Sequence, residues 1–431
     1  MRTSYSYAQK GWFNPAARKN MWPSLMSVLA FVIPAIMFFE IKAIGRLFGS
    51  DMLCLGLFPI LLFTKGGLLK NSFARAFIWL GLLYFLGQFT TDLVLETPYY
   101  DYSRGWAKIV VTVISFCTLF MIIGLNRGRI LIFALGIVTG EILQFYFNPG
   151  VYATGHPWKF GVGVAIVWLL IIFAVLLKNK KVIIIEARYF LPFLAGALNL
   201  YFGFRSLAGI CFLTLAYLSL QRLLQVRPGK DARLPTKKIV LMAIGLFAAA
   251  IMIVEFYEFS AREGWLGQVQ KQKYEAQAHG VYGLFLGGRS EILVASRAIW
   301  ESPLLGHGSW AKDWKYAEML IALKRQLGYD PGSIHELGLI PTHSHLFGAW
   351  VEAGLLGAIF WGWVLSLPVR ASIRLFSADD PHTPLLVFIA LLLTWDILFS
   401  PFGATRRLLI PFYAICMIDV VTRYPVRPRK T

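Results

Sequence analysis

The chain reads as an all-α polytopic membrane protein of about 12 transmembrane helices, with one large, partly helical outer loop between helices 9 and 10. Three observations carry that reading. Of 431 residues, 57% are apolar and only 15% are charged, at a mean hydropathy of +0.61, outside the balance of soluble domains. Apolar runs near the ~20 residues that a helix needs to cross a ~30 Å hydrocarbon core recur along most of the chain. Lys and Arg are also divided unevenly among the connections between those runs.

In order, the expected spans are 22–40, 47–64, 76–96, 107–126, 130–147, 162–177, 182–202, 206–221, 239–257, 345–368, 383–400 and 408–422. They divide the chain into helices 1–9 (residues 1–257), a loop (258–344) and helices 10–12 (345–431). The segment through Asn20 is polar and basic, and no small-residue cleavage site follows the first apolar run, so the first span is expected to be retained. Cys54, Cys117, Cys211 and Cys416 each lie in a separate apolar run, without the spacing of a zinc site or a disulfide framework.

With both termini on the cytoplasmic side, the inner segments hold 24 basic residues and the short outer loops 8. That bias orients the chain by the positive-inside rule. It also accounts for the net charge of +19: the excess lies beside anionic headgroups, and the long loop is balanced. A basic groove for nucleic acid on a soluble face is not what this pattern describes.

The long loop is expected to fold into a cap of two to four short helices. In SEILVASRAIW, Ile292, Ala295, Ile299 and Trp300 share a helical face; in DWKYAEMLIALKRQLG, Trp314, Ala317, Leu320, Ile321 and Leu327 do the same. Gly- and Pro-containing stretches at 302–309 and 328–342 break the two.

Phosphate-binding Gly loops, dinucleotide fingerprints, HExxH, GxSxG and Cys pairs are missing from the sequence. What stands out is basic and titratable. His343 and His345 lie where the loop enters an apolar helix, in PTHSHLFGAWVEAGLLG. Ser344 or Thr342 can cap that helix, placing His345 in its first turn, where the helix dipole disfavours imidazolium and a neutral ring can accept a proton. Arg205 stands alone at an outer boundary, and Arg289 opens a helix in GGRSEILVASRAIWESPLLGHGSW. The planar guanidinium fork matches phosphate oxygens, although a lone arginine at a helix end also snorkels to headgroups. A metal held by His335, His343 and His345 would lack a carboxylate or cysteine to complete it.

Taken together, these elements resemble the O-antigen ligase and O-antigen polymerase superfamily of bacterial membrane glycosyltransferases. The resemblance rests on Arg205, the GR…W…P..G.G run from Gly288 to Gly308 and the HxH…E.GLLG run from His343 to Gly357. This chain has Leu346 where the family commonly has asparagine, and Phe204 where it has serine. The resemblance implies transfer of a glycan from an undecaprenyl-diphosphate donor to an acceptor hydroxyl, on a glycan or a lipid A core, at the periplasmic face of the inner membrane. It implies that Arg205 and Arg289 bind the diphosphate, His345 activates the acceptor and His343 assists, without metal or other cofactor. Trp300, Trp310 and Glu352, the last seven residues beyond His345, are candidate sugar or acceptor contacts.

Ligation and repeat-unit polymerisation share the donor chemistry and differ in acceptor. A transporter or lipid-linked glycan exporter is the reading from another class. It would use ionisable residues near the midplane, for which Glu141 and Asp396 are candidates.

Overall fold

The computed structural model describes residues 24–425 apart from 44, 178–179, 183, 225–234, 269–270, 273, 276–288 and 327–337. The expected spans emerge as helices α1 (Leu25–Ala35), α2 (Gly49–Lys65), α3 (Ser72–Val94), α4 (Tyr99–Ile123) and α5 (Arg127–Phe147). A five-residue turn, α6 (Val151–Gly155), leads to α7 (Gly163–Leu176), α8 (Ala187–Tyr201), α9 (Arg205–Leu223) and α10 (Thr236–Arg262). The loop contributes α11 (Glu291–Glu301) and α12 (Trp314–Gln326). Helices α13 (His345–Phe376), α14 (Thr383–Phe399) and α15 (Arg406–Arg423) close the bundle. The described strands form two small antiparallel hairpins, Glu40–Ala43 with Gly45–Phe48 and Lys181–Val182 with Ile185–Glu186.

Among the described residues, eight helices are long and apolar enough to cross a membrane. That is fewer than the twelve expected. Of the remaining four segments, Leu25–Phe38 and Thr383–Phe399 are apolar but shorter, α8 has 15 residues, and α15 carries Arg406, Arg407, Asp419 and Arg423. Side chains in the short connections set several helix starts. The Asn71 carboxamide accepts from the amides of Phe73 and Ala74, and Asn126 accepts from Arg129, satisfying first-turn donors that have no partner within the helix.

The core runs along α15, which is buried over nearly its full length. It is flanked by α4, α13 and α14. Phe412 stacks on Phe133 with ring centres 4.3 Å apart, and Trp168 packs edge-on against Phe388. Helix α10, by contrast, leans chiefly on α9 and exposes Ile244, Phe247, Ile251 and Met252. Apolar side chains in that position suit lipid, not a protein core.

The two loop helices pack on each other, and α11 packs onto α13. Their buried faces are rotated from those the periodicity suggests. Val294, Ala295, Ala298 and Ile299 face inward while Trp300 is 79% exposed. Tyr316, Ala317, Leu320 and Ile321 face inward while Trp314 is exposed, and Leu327 lies outside the described residues. The correction has a simple cause: the His307 ring packs edge-on to Tyr316 and its Nε2 lies 2.9 Å from Ala298 O, which draws those faces inward, while large rings at a membrane boundary are stable in the interface.

Candidate functional site

The loop and α13 are joined where the two sequence motifs meet. Gly354 sits at φ +62° and ψ −151° and kinks α13. A Cβ at that position would fall on the Leu304 carbonyl oxygen, so only glycine allows the contact. The kink frees backbone carbonyls, and the turn at 304–308 supplies the donors. His307 N–H reaches Val351 O at 2.6 Å, Gly308 N–H reaches Glu352 O at 3.1 Å, and Leu355 N–H reaches back to Leu304 O at 3.2 Å. Gly306 needs its lack of a side chain for the same approach, because a Cβ would meet the Gly354 amide. The paired P..G.G and GLLG patterns are therefore two halves of one backbone junction.

Asp92 of α3 holds the next residues. One oxygen accepts from the Ser309 amide and the other from its hydroxyl, each at 2.7 Å, and Trp106 Nε1 donates to the same carboxylate at 2.8 Å. Trp310, directly after, is fixed at φ +52°. Bulky residues seldom adopt that conformation.

Ser344 is the N-cap of α13. Its hydroxyl accepts from the Phe347 amide and donates to Ile397 O at 2.7 Å. His345 opens the helix, 2% exposed, with Trp361 and Phe402 edge-on to its ring at 5.0 Å. Its Nδ1 lies 2.7 Å from Ser400 O. A carbonyl only accepts, so Nδ1 carries the proton and Nε2 holds the free lone pair. That nitrogen has no protein partner among the described residues.

These groups open on a cavity of about 580 Å³ whose walls include Lys108, Glu291, Trp310, His343, His345 and Glu352. Such a volume is in the range of roughly 300–1,000 Å³ typical of ligand sites. Lys108 of α4 and Glu352 form an ion pair in its wall, with side chains 20% and 18% exposed. Tyr84, Phe360 and Trp361 surround the pair with aromatic surface. His343 is held below the ordinary imidazole range by desolvation first and then by the positive charge of Arg289 and Lys324, against the opposing pull of Glu291.

Of the candidate residues, the structure thus brings His343, His345, Trp310 and Glu352 to one cavity. Arg289 stands beside it, close enough to bias His343, with its guanidinium 5.5 Å from the Trp395 ring centre and 5.6 Å from that of Phe399. Neither Arg289 nor Arg205 is among the described residues lining the cavity. Arg205 starts α9 and lies over Tyr257 of α10, at 5.2 Å, in a separate cluster with Tyr274 and Leu200. Trp300 points away from α13 into the surroundings. His335 lies outside the described residues.

Lys108 is what the sequence reading missed. Its signal was present: a lysine one residue inside an apolar span, where a charge is costly without a partner. The partner, Glu352, is 244 positions away. Glu141 and Asp396, candidates for a midplane transport site, do not line the cavity but gather beside His345: Asp396 pairs with Arg406 at 2.9 Å, Glu141 lies near the same arginine, and Arg406 is close enough to act on His345. Comparison with family models, curated proteins and solved structures finds no match to the chain.

Proposed function

We propose that the protein is a membrane glycosyltransferase that moves a glycan from a lipid-diphosphate donor to an acceptor hydroxyl, as the resemblance to O-antigen ligases implies. The observation that carries this reading is the state of His345, a residue lining a ligand-sized cavity whose Nδ1–H is committed to Ser400 O and whose Nε2 is buried without a partner among the described residues. A ring fixed in that tautomer is ready to take a proton without reorganising.

In this reading the acceptor oxygen attacks the anomeric carbon as its proton passes to Nε2. The bond from that carbon to the diphosphate oxygen breaks, and the lipid diphosphate leaves with the electron pair. Positive charge near the leaving oxygens lowers the barrier, and Arg289, next to His343, is the arginine best situated to provide it. Arg205, in its cluster with Tyr257, would then act on a more distant part of the lipid donor. The site would face the periplasm if the basic connections are cytoplasmic.

Reconstitution with an undecaprenyl-diphosphate-linked glycan and alternative acceptors tests the reading. Wild type is expected to transfer, His345→Gln and Arg289→Ala to be severely impaired. Transfer at the wild-type rate by His345→Gln removes the mechanism. The acceptor that works separates ligation to a lipid A core from polymerisation of repeat units. Movement of the lipid-linked glycan across the bilayer without bond transfer would instead favour an exporter.

A further inference from the structure

We propose that Trp310, Lys108 and Glu352 form a subsite for a neutral, polyhydroxylated ring, a sugar, and that the same wall rejects acidic sugars. This deepens the glycosyl-transfer reading and rests on it for the identity of the ligand as a glycan.

The first observation is Trp310. Its backbone is held at φ +52° from both sides, by the two bonds from Ser309 to Asp92 and by the 2.6 Å ion pair of Lys312 with Asp101. Its indole is clamped by Arg104, whose guanidinium lies 3.6 Å from the ring centre. Backbone strain of this kind persists only where the surroundings over-determine it. What it achieves is to set the indole in the cavity wall with Nε1 buried and unpartnered among the described residues. A buried N–H without an acceptor is costly unless a ligand supplies one.

The second observation is the ion pair. Arg104 and Lys108 are four residues apart on α4, so the clamp on Trp310 and the pair with Glu352 share one helix face. Together the wall offers an indole N–H, an ammonium with hydrogens to spare and a carboxylate that only accepts. A hydroxyl donates and accepts at once, and vicinal hydroxyls can bridge an ammonium and a carboxylate without separating them. The neighbouring Tyr84, Phe360 and Trp361 provide apolar surface for the C–H face of a ring.

The charge balance supplies the selectivity. Apart from the two histidines, Lys108 is the only basic residue among the described residues lining the cavity, whereas Glu352 and Glu291 are both there. Lys108 is already committed to Glu352, and Glu291 is tied to Lys324 at 3.4 Å. A uronate on the ring against Trp310 would meet the Glu352 carboxylate and compete with it for Lys108, a cost that a neutral hydroxyl does not incur.

The test uses the full chain in nanodiscs on an array of neutral hexose, N-acetylhexosamine and uronic-acid oligosaccharides. Wild type is expected to bind neutral members about tenfold more tightly than their uronic counterparts. Trp310→Phe keeps a ring against Arg104 and loses the donor together with the pyrrole half of the indole; it should weaken binding at least tenfold, the share expected for one hydrogen bond left unmade being roughly that factor, and raise KM for the acceptor more than it lowers kcat. The double variant Lys108→Met with Glu352→Leu removes the pair without leaving a lone charge, and should lose array binding while keeping its melting temperature. No array binding by wild type, equal binding of neutral and acidic members, or unchanged binding and KM in both variants would each overturn the subsite. Array binding lost in the variants, in a protein that transfers nothing, would leave the subsite standing and sink the transfer reading alone.

Discussion

The two ends of helix α13 both bury charge, and they treat it in opposite ways. Beyond the C-terminal end, Arg127 of α5 is locked between Asp380 at 2.8 Å and Asp419 at 2.7 Å; Arg423 adds a second cation at 3.1 Å, and the Tyr424 hydroxyl donates to Asp380. Burial works against the Asp380 carboxylate, yet His382 and Arg127 hold it below its ordinary range. At the N-terminal end, one ion pair, Lys108 with Glu352, opens on a cavity beside a histidine nitrogen and an indole N–H that have no partner among the described residues. The first arrangement pairs its charges with one another and binds helices together, although Arg127 Nη1 is left without a hydrogen-bond partner among the described residues. The second keeps polar groups available, which costs stability and is what a binding site requires.

The largest expected effect comes from breaking the closed end. Arg127→Met should destabilise the protein by about 3–5 kcal/mol, because two buried carboxylates lose their shared cation. Thermal unfolding in detergent checks it, and an unchanged midpoint would remove the lock. The same end predicts acid sensitivity. A carboxyl whose folded pKa is depressed contributes stability that is complete above its unfolded value of 3.8 and is lost as pH falls below it. Unfolding midpoints measured from pH 6 downward should therefore drop in wild type more than in a variant lacking Asp380.

At the open end the ordering reverses. His345→Gln should lower transfer by roughly 10²–10⁴-fold, the usual contribution of a general base, with little change in melting temperature. A loss of stability as large as that of Arg127→Met would make His345 a packing residue. Gly354→Ala connects the two behaviours: strain and collision at Leu304 should cost about 1–3 kcal/mol and reduce transfer in parallel, as the junction carrying Trp310 is displaced. The smallest effect is expected in the cap. Glu301, drawn down to about 2 by Lys315 first, then by Tyr316 and Arg297, holds α11 to α12. Its contribution is full above its unfolded value of 4.5 and lost as pH falls towards 2. Glu301→Gln should give slightly faster amide exchange in α11 at pH 7, and wild type should approach the variant near pH 2.

Much of the open end was legible. Ser344 as cap, His345 in the first turn and glycines near 306–308 and 354–357 are local features, and local features read directly from spacing. The inward faces of α11 and α12 were only half legible. A helix with apolar residues on more than one side does not announce which side meets protein and which meets the membrane boundary, as Trp300 and Trp314 show.

By itself the sequence determined the membrane class, because an apolar run of membrane length has one low-energy solution in lipid: a helix that satisfies its own backbone. It also picked out titratable and aromatic residues of the loop and the start of α13 that line one cavity, His343, His345, Trp310 and Glu352. Only the tertiary structure decided which charges share a cavity. Lys108 meets Glu352 across 244 positions, Trp310 is turned by Asp92 across 218, and Arg205 is drawn to Tyr257 instead of to His345. Ion pairs and strained backbones of that kind are settled by packing between distant helices, and no periodicity along a single segment records them.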